Sequence, residues 1–352
     1  MSFPERIELG PGYSISRIIH GGWQLAGGHG PVDRNEAIAG LMAFCRAGVT
    51  TFDCADIYTG VEDLLGDLRQ ALLGEGGAAA LASLRIHTKF VPDLDVLSRL
   101  SRNDVRNAID RSLRRLRVEQ LDLVQFHWWD YGLGDYIQAA AWLAELQQQG
   151  KIALLGATNF DAPHTAALLQ ADIPLASMQV QYSLLDARPE HGLIKVCREN
   201  NVQLLCYGTV AGGFLSQAWL GRKEPELPLE NRSQAKYKLI IDEFGGWDLF
   251  QDLLHTLCRI AKRHGVDIAT VASRAILDRP QVAAVIVGAR NVNHLAANLA
   301  IARLRLASED FAEIDRILSE RRGPRGDVFA LERDRAGRHG SIMKYNLNRA
   351  AS

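Results

Sequence analysis

LRIHTKFVPDLDVLSRLSRNDVRNAIDRSLRRLRVEQLDLVQFH, residues 84–127, decides the fold. Two short apolar runs, LRIHTKF (84–90) and LDLVQFH (121–127), flank an amphipathic stretch, NDVRNAIDRSLRRLR (103–117). Near-continuous apolar runs of that length are what a strand needs when helices cover its sheet. The longer segment between them reads as a crossover helix, so the unit is strand, helix, parallel strand. The same alternation extends in both directions. Further strands are predicted at 15–21 (ISRIIHG), 49–53 (VTTFD), 151–157 (KIALLGA), 177–182 (SMQVQY), 202–207 (VQLLCY) and 282–287 (VAAVIV), eight in all. Helices are predicted at 36–48 (EAIAGLMAFCRAG) and 135–150 (DYIQAAAWLAELQQQG); the latter ends at a Gly, as helices commonly do.

Eight strand–helix units in one composition regime predict a single α/β domain over 1–352, a (β/α)8 TIM barrel whose right-handed crossovers return each strand beside its predecessor. A doubly wound sheet is the structural alternative, but GGHGPVD (27–33) lacks the G-x-G-x-x-G spacing of a dinucleotide fingerprint. Two segments break the rhythm. Residues 209–245, rich in Gly, Pro and charge, are long enough to act as a lid or clamp. The tail 322–352 carries Phe329, Leu331, Met343 and Tyr345 among its charges, which suits either crossing the barrel mouth or wrapping the surface.

Bulk properties narrow the partners. A net charge of -1 gives no electrostatic footprint for nucleic acid or an anionic membrane. No apolar run reaches the roughly 20 residues that span a bilayer, and the N-terminal MSFPERIELGPG lacks the apolar core of a signal peptide. The five cysteines (Cys45, Cys54, Cys197, Cys206, Cys258) are scattered and odd in number, which suits reduced thiols in a cytoplasmic protein. No CxxC or HExxH spacing calls for a metal.

Polar residues at the carboxyl ends of barrel strands face the functional end. Asp53 closes the second predicted strand, Tyr58 follows in FDCADIYTG (52–60), Lys89 is near the end of the third and His127 ends the fourth. Taken singly, each has an ordinary explanation: a packed Tyr, a snorkelling Lys, a hydrogen-bonded core His. Four adjacent strand ends carrying costly buried polar groups together are harder to explain by packing. An unperturbed Tyr titrates near about 10, and the expectation is that the Lys89 ammonium lowers Tyr58, Asp53 keeps Lys89 charged, and His127 steers a carbonyl. Such a group would protonate a developing alkoxide, the chemistry of hydride reduction or its reverse.

With these residues the chain resembles the aldo-keto reductases, from GGW (21–23) to the GAR…N segment (288–298). The resemblance implies Tyr58 as general acid, Lys89 and Asp53 as its assistants, and His127 as substrate orienter. It implies a nicotinamide seat: Thr158 and Asn159 in GATNF and Gln179 in QVQYSLL for the carboxamide, and Tyr207 in CYGTVAGGFL stacked on the ring. Gly22, Trp23 and Asp53, with Gly208, Val210 and Gly212 after the stacking Tyr, complete that side; Gly288, Arg290, His294 and Asn298 are implied at the adenine end. Gly208, Thr209 and Val210 replace the family's common Ser-Pro-Leu, and His294 replaces the usual Arg or Gln. Arg290 offers a fork for a 2′-phosphate, which favours NADPH and leaves NADH open; otherwise it is a solvated charge at a helix start. Trp23, Trp128 and Trp129 are expected at an aromatic mouth, with Tyr58 and His127 completing the substrate site and Trp129 the candidate to pack on the tail instead.

The function so implied is hydride transfer between the nicotinamide and an aldehyde, ketone or sugar carbonyl. Alternatives are a cofactor-binding regulatory subunit with little turnover, and an isomerase or lyase that returns the cofactor unchanged. Substrate, direction and oligomeric state stay open.

Overall fold

The computed structural model describes residues 4–27, 30, 32–226, 228–229, 231–289 and 291–348. A hairpin of β1 (Arg6–Gly10) and β2 (Tyr13–Ser16) precedes β3 (Ile18–Gly21), β4 (Thr51–Asp53), β5 (Arg85–Phe90), β6 (Leu121–Phe126), β7 (Ile152–Thr158), β8 (Leu175–Gln181), β9 (Gln203–Tyr207) and β10 (Val282–Gly288). The last eight close into a parallel barrel in the order β10-β3-β4-β5-β6-β7-β8-β9, the (β/α)8 architecture that the alternation predicts.

Short polar residues start the covering helices where the chain leaves each strand. Ser101 and Asp104 form a reciprocal capping box on helix Arg102–Leu116. Asp33, Asp135, Asp161 and Asp267 each accept from a backbone N–H in the first turn of the following helix. The apolar faces of these helices and of helix Val61–Leu81 bury Leu41, Phe44, Leu64, Leu68, Ile109, Leu143 and Ile276 against the outside of the barrel, and burying each such side chain contributes about 1.5–3 kcal/mol.

The strand expected over 15–21 divides at Arg17. The guanidinium of Arg17 donates to the carbonyls of Leu277, Val282 and Ala283 at 2.8, 3.1 and 3.0 Å, and Ser16 Oγ donates to Ile18 O. Those bonds turn the chain out of the ladder, so residues 13–16 pair with β1 instead. The hairpin plugs the amino end of the barrel, where Leu9, Tyr13 and Ile15 pack on Ile19, Leu123, Leu205 and Ile286.

Two further segments build the opposite, carboxyl end. Residues 209–245 hold two 3-10 turns, Ala211–Gly213 and Gln217–Trp219, and then a helix, Arg232–Phe244, capped by Asn231. The tail crosses the barrel mouth. It is pinned on one side by Glu332, which accepts from the Arg188 guanidinium at 2.8 and 3.1 Å, itself bound to Asp186. On the other side Leu94 N donates to Tyr345 O, and the Leu347 N–H donates to Asp93 Oδ1 at 2.8 Å.

Candidate active site

Barrel register brings the four predicted proton-transfer residues to one end. Asp53 is the last residue of β4, Lys89 the penultimate residue of β5, and His127 follows β6 with its N–H on Phe90 O. Tyr58 lies in the tight connection before helix Val61–Leu81, fixed by its own N–H on Ala55 O. All four line one cavity of about 680 Å³. Lys89 Nζ donates to both oxygens of Asp53 at 2.8 and 2.7 Å and to Cys54 O at 2.7 Å, and stands 5.2 Å from the Tyr58 ring centroid.

Asp53 is held by more than Lys89. Gln125 Nε2 and Gln179 Nε2 donate to Asp53 Oδ1 at 3.1 and 2.6 Å. Gln125, in register with Lys89, was missed from the sequence although it stands two residues before His127, on the strand face that points inward. Burial works to lower the Lys89 ammonium, but Asp53 and Tyr58 outweigh it and the net shift is upward, so Lys89 stays charged. For Tyr58 the balance differs from the expectation. Burial raises the phenol, Lys89 pulls it down, and burial wins, leaving it above its ordinary value. The Lys89 charge is largely spent on Asp53, which itself pushes Tyr58 upward. Tyr58 therefore remains a phenol at neutral pH, the form that can donate a proton.

His127 is pushed down to about 3 by burial, with the Arg333 guanidinium adding to the effect and the Thr158 carbonyl opposing it. Its imidazole is neutral at physiological pH. Nδ1 lies 3.1 Å from Thr158 O. The ring is wedged perpendicular to Trp129 at 4.3 Å and to Phe329 at 5.5 Å between centroids.

The residues expected at a nicotinamide seat converge on the same cavity: Thr158, Asn159, Gln179 and Tyr207, then Gly208, Val210 and Gly212. Asn159 takes a positive φ of 63° and donates its N–H to Gln179 O. Tyr207 OH donates to Asn159 Oδ1 at 2.8 Å, which leaves the Asn159 amide nitrogen as a donor. Gln179 commits its nitrogen to Asp53, which leaves its oxygen as an acceptor. One donor beside one acceptor is the complement of a primary carboxamide. Gly208 has φ 77°, and a Cβ there would come within 2.3 Å of Tyr237 Oη, so the turn after Tyr207 requires glycine. Farther along, Gly288, His294 and Asn298 line the cavity, and Asn298 Nδ2 is buried without a protein partner.

Two expected residues stand elsewhere. Gly22 lies behind the cavity, its N–H on Asp53 O at 2.7 Å and so close that a Cβ would clash with that carbonyl; its neighbour Gly21 lines the cavity instead. Trp128 is fully buried, and its indole donates to Asp130 O and Leu133 O. It packs on Phe126 behind the wall, since successive residues of an extended segment point to opposite sides and His127 takes the inner one. Arg290 lies outside the described residues. Trp23 and Trp129 do line the mouth. Trp23 Nε1 is 3.4 Å from Ser233 Oγ on helix Arg232–Phe244, and Trp129 also packs on Tyr345 of the tail.

Lys236 carried no signal in the sequence, and of the two courses open to the tail it takes the one across the mouth. Lys236 places its ammonium 5.3 Å from the Tyr207 ring centroid and 3.9 Å from Glu332, and burial lowers it. Phe329, Ile342, Met343 and Leu347 form the side of the cavity facing the mouth. Charged residues surround these apolar ones in the chain, so no period marks them as inward-facing. Among the described residues no three His, Cys, Asp or Glu side chains gather as a metal site, and no helix is long and apolar enough to cross a membrane.

Barrel, tetrad and amide-complementary seat together define a class, the nicotinamide-dependent oxidoreductases that work at the carboxyl end of a (β/α)8 barrel. A sequence profile of the Aldo/keto reductase family matches residues 17–319, and the chain belongs to that family. It is thus an NAD(P)-dependent oxidoreductase of small carbonyl compounds. Relatives include the NADH-specific methylglyoxal reductase of Escherichia coli (strain K12), 26% identical over 316 residues, covering 84% of this chain and 93% of the relative. The chloroplastic pyridoxal reductase of Arabidopsis thaliana is 26% identical over 331 residues, covering 88% and 85%. Among solved structures, the glycerol dehydrogenase of Gluconobacter oxydans superposes with TM-score 0.73 at 23% identity over 90% of this chain and 95% of that one. An aldo/keto reductase from Klebsiella pneumoniae in complex with NADP and acetate gives TM-score 0.68 at 21% identity, over 92% and 98%.

Proposed function

We propose that the chain reduces an aldehyde or ketone with Tyr58 as the general acid and with NADPH preferred over NADH. The observation that carries this reading is the junction of a protonated, half-buried phenol with the Lys89–Asp53 pair and the bare edge of His127 in one cavity. A bound reduced nicotinamide supplies the hydride. The seat suited to it is the Asn159 donor and Gln179 acceptor for the carboxamide, Tyr207 for the ring, and Asn298 with His294 at the adenine end.

The chain's own residues do the rest. Tyr58 gives its phenolic proton to the carbonyl oxygen as the C=O bond becomes a C–O–H, and solvent restores that proton afterwards. The Lys89 ammonium, anchored on Asp53, stabilises the phenolate that is left. Gln125 and Gln179 keep the Asp53 carboxylate from swinging toward Tyr58. Trp23, Trp129 and Phe329 exclude water from the reacting atoms, and low polarity strengthens each of these interactions.

The NADPH preference rests on Arg290, two residues before the turn Val292–His294 that borders the proposed adenine end, and on the NADP-bound neighbour; the NADH-specific relative is the counterexample. Reduced-nicotinamide absorbance, followed with each cofactor across a panel of aldehydes and ketones, tests both parts. Turnover is expected with both cofactors and a lower KM for NADPH, a difference that Arg290→Ala should remove by weakening NADPH alone, by roughly tenfold for one lost charge-assisted contact. Tight cofactor binding with no turnover of any carbonyl would replace this reading with a regulatory one. That alternative calls for an apolar partner surface, whereas among the described residues the exposed large apolar side chains are Leu73 and Val292.

A further inference from the structure

Three arginines of the tail, in ERDRAGR (332–338), stand in different company. Arg335 and Arg338 are exposed and pair with Asp130 and Asp242 at 3.5 and 2.9 Å. Arg333 turns inward instead. Its guanidinium lies 4.2 Å from the Tyr131 ring centroid and 5.3 Å from that of Phe329. Its Nε is buried without a partner, and it makes no ion pair among the described residues. Taking a cation out of water without a carboxylate to meet it costs free energy, so stability alone does not account for this placement. What the guanidinium reaches is a pair of backbone carbonyls. Its Nη2 donates to Asn159 O at 2.8 Å and to Trp128 O at 3.1 Å, so one nitrogen ties together the segments that follow two neighbouring strands, β7 and β6.

The tie has its consequence at Asn159. With φ at 63°, this residue holds a left-handed conformation that few side chains adopt and that surrounding contacts must maintain. Its N–H is fixed on Gln179 O at 2.9 Å, and Arg333 fixes its carbonyl, so the peptide groups on both sides of its Cα are held. The direction of the side chain follows from that backbone, and Tyr207 OH then takes Oδ1 and leaves the nitrogen toward the cavity. We propose that Arg333 is a positioning residue of the cofactor site, holding Asn159 in the turn that presents its amide nitrogen to the nicotinamide carboxamide. This rests on the cofactor seat read above and gives the tail a share in it. A carboxamide gripped at one end only would let the ring pivot against Tyr207, and misplacement of that kind weakens both binding and hydride transfer.

The test is a double-mutant cycle on NADPH binding, read by fluorescence quenching with the full chain. Arg333→Met removes the donors and keeps an apolar stem against Tyr131 and Phe329. Asn159→Gly removes the amide and accepts the same φ. Each change alone should raise the NADPH Kd by about tenfold, as expected for one hydrogen bond lost or misdirected. In the Asn159→Gly background, Arg333→Met should change Kd by less than about twofold, because the group it positions is gone. A guanidinium that only buttresses the tail would act independently, and the two factors would multiply toward about 100-fold. An Arg333→Met factor equal in both backgrounds, whether about tenfold or none, overturns the proposal. Arg333→Gln carries the same cycle should the methionine variant not fold. If the parent protein binds neither NADPH nor NADH, the cofactor reading falls and this inference with it. If the parent binds and the two factors are equal, this inference falls alone.

Discussion

At the residue scale, the balance at Tyr58 turns on where the Lys89 charge is directed. Two carboxylate oxygens and a backbone carbonyl already surround Nζ, so what reaches the phenol is a residual field at 5.2 Å from the ring centroid. In the proposed reaction the group stays protonated until an oxygen basic enough to take the proton develops on the substrate. Tyr58→Phe removes that proton and little volume; kcat should fall about 10²- to 10⁴-fold while the cofactor Kd, read by fluorescence quenching, moves by less than about threefold. A surviving kcat near the parent value would remove Tyr58 from its role. Asp53, Lys89 and His127 were legible because each interrupts an apolar run at the carboxyl end of a strand, and Tyr58 because it follows Asp53 in the next connection. The direction of the Tyr58 shift was not, because it depends on competing burial and charge that only three-dimensional packing fixes. Trp128 and Trp129 illustrate the same limit: adjacent in sequence, they fall on opposite sides of the cavity wall.

At the element scale, the sequence left the tail two courses, and only packing selects the one across the mouth. Its inward residues, Phe329, Met343 and Leu347, sit among charges without helical or strand period, since an irregular segment obeys neither. One charge in it, Glu332, is fully buried against Arg188 and Lys236 and held down at about 2; burial opposes ionisation there, and Arg188 overrides it. Breaking a buried pair by removing one partner typically costs about 3–5 kcal/mol. Glu332→Ala should therefore loosen the tail, and with it the Phe329 contact on His127. The expected signature is a rise in substrate KM and faster proteolysis after residue 322. An unchanged KM and cleavage rate would show the tail to be passive. The N-terminal hairpin was hidden for a related reason: its strands continue straight into β3 in sequence, and the hydrogen bonds of Arg17 and Ser16 separate them.

At the scale of the whole molecule, the barrel was the most legible feature, since eight apolar runs spaced by helices leave few other topologies. The same closed interior imposes a cost in acid. His20, His87 and His127 are buried and pushed down to about 4, 3 and 3, in each case first by burial. Their unfolded counterparts titrate near about 6.5. Between those values the unfolded chain binds more protons than the folded one, so stability rises with pH and is lost as pH falls from about 6.5 toward 4. Three such groups give a slope approaching roughly 4 kcal/mol per pH unit in the middle of that window. The urea midpoint should drop steeply between pH 6.5 and 5 in that titration range, and a flat profile there would contradict neutral burial of these rings. The tail also sets an order of events during synthesis. The last barrel strand ends at Gly288, whereas Leu347 closes the wall 59 residues later, an interval of about 3–12 s at ordinary elongation rates. A barrel that closed before its tail was made would leave the rings of His127 and Trp129 without the Phe329 and Leu347 wall for those seconds, a wider mouth than the complete chain has.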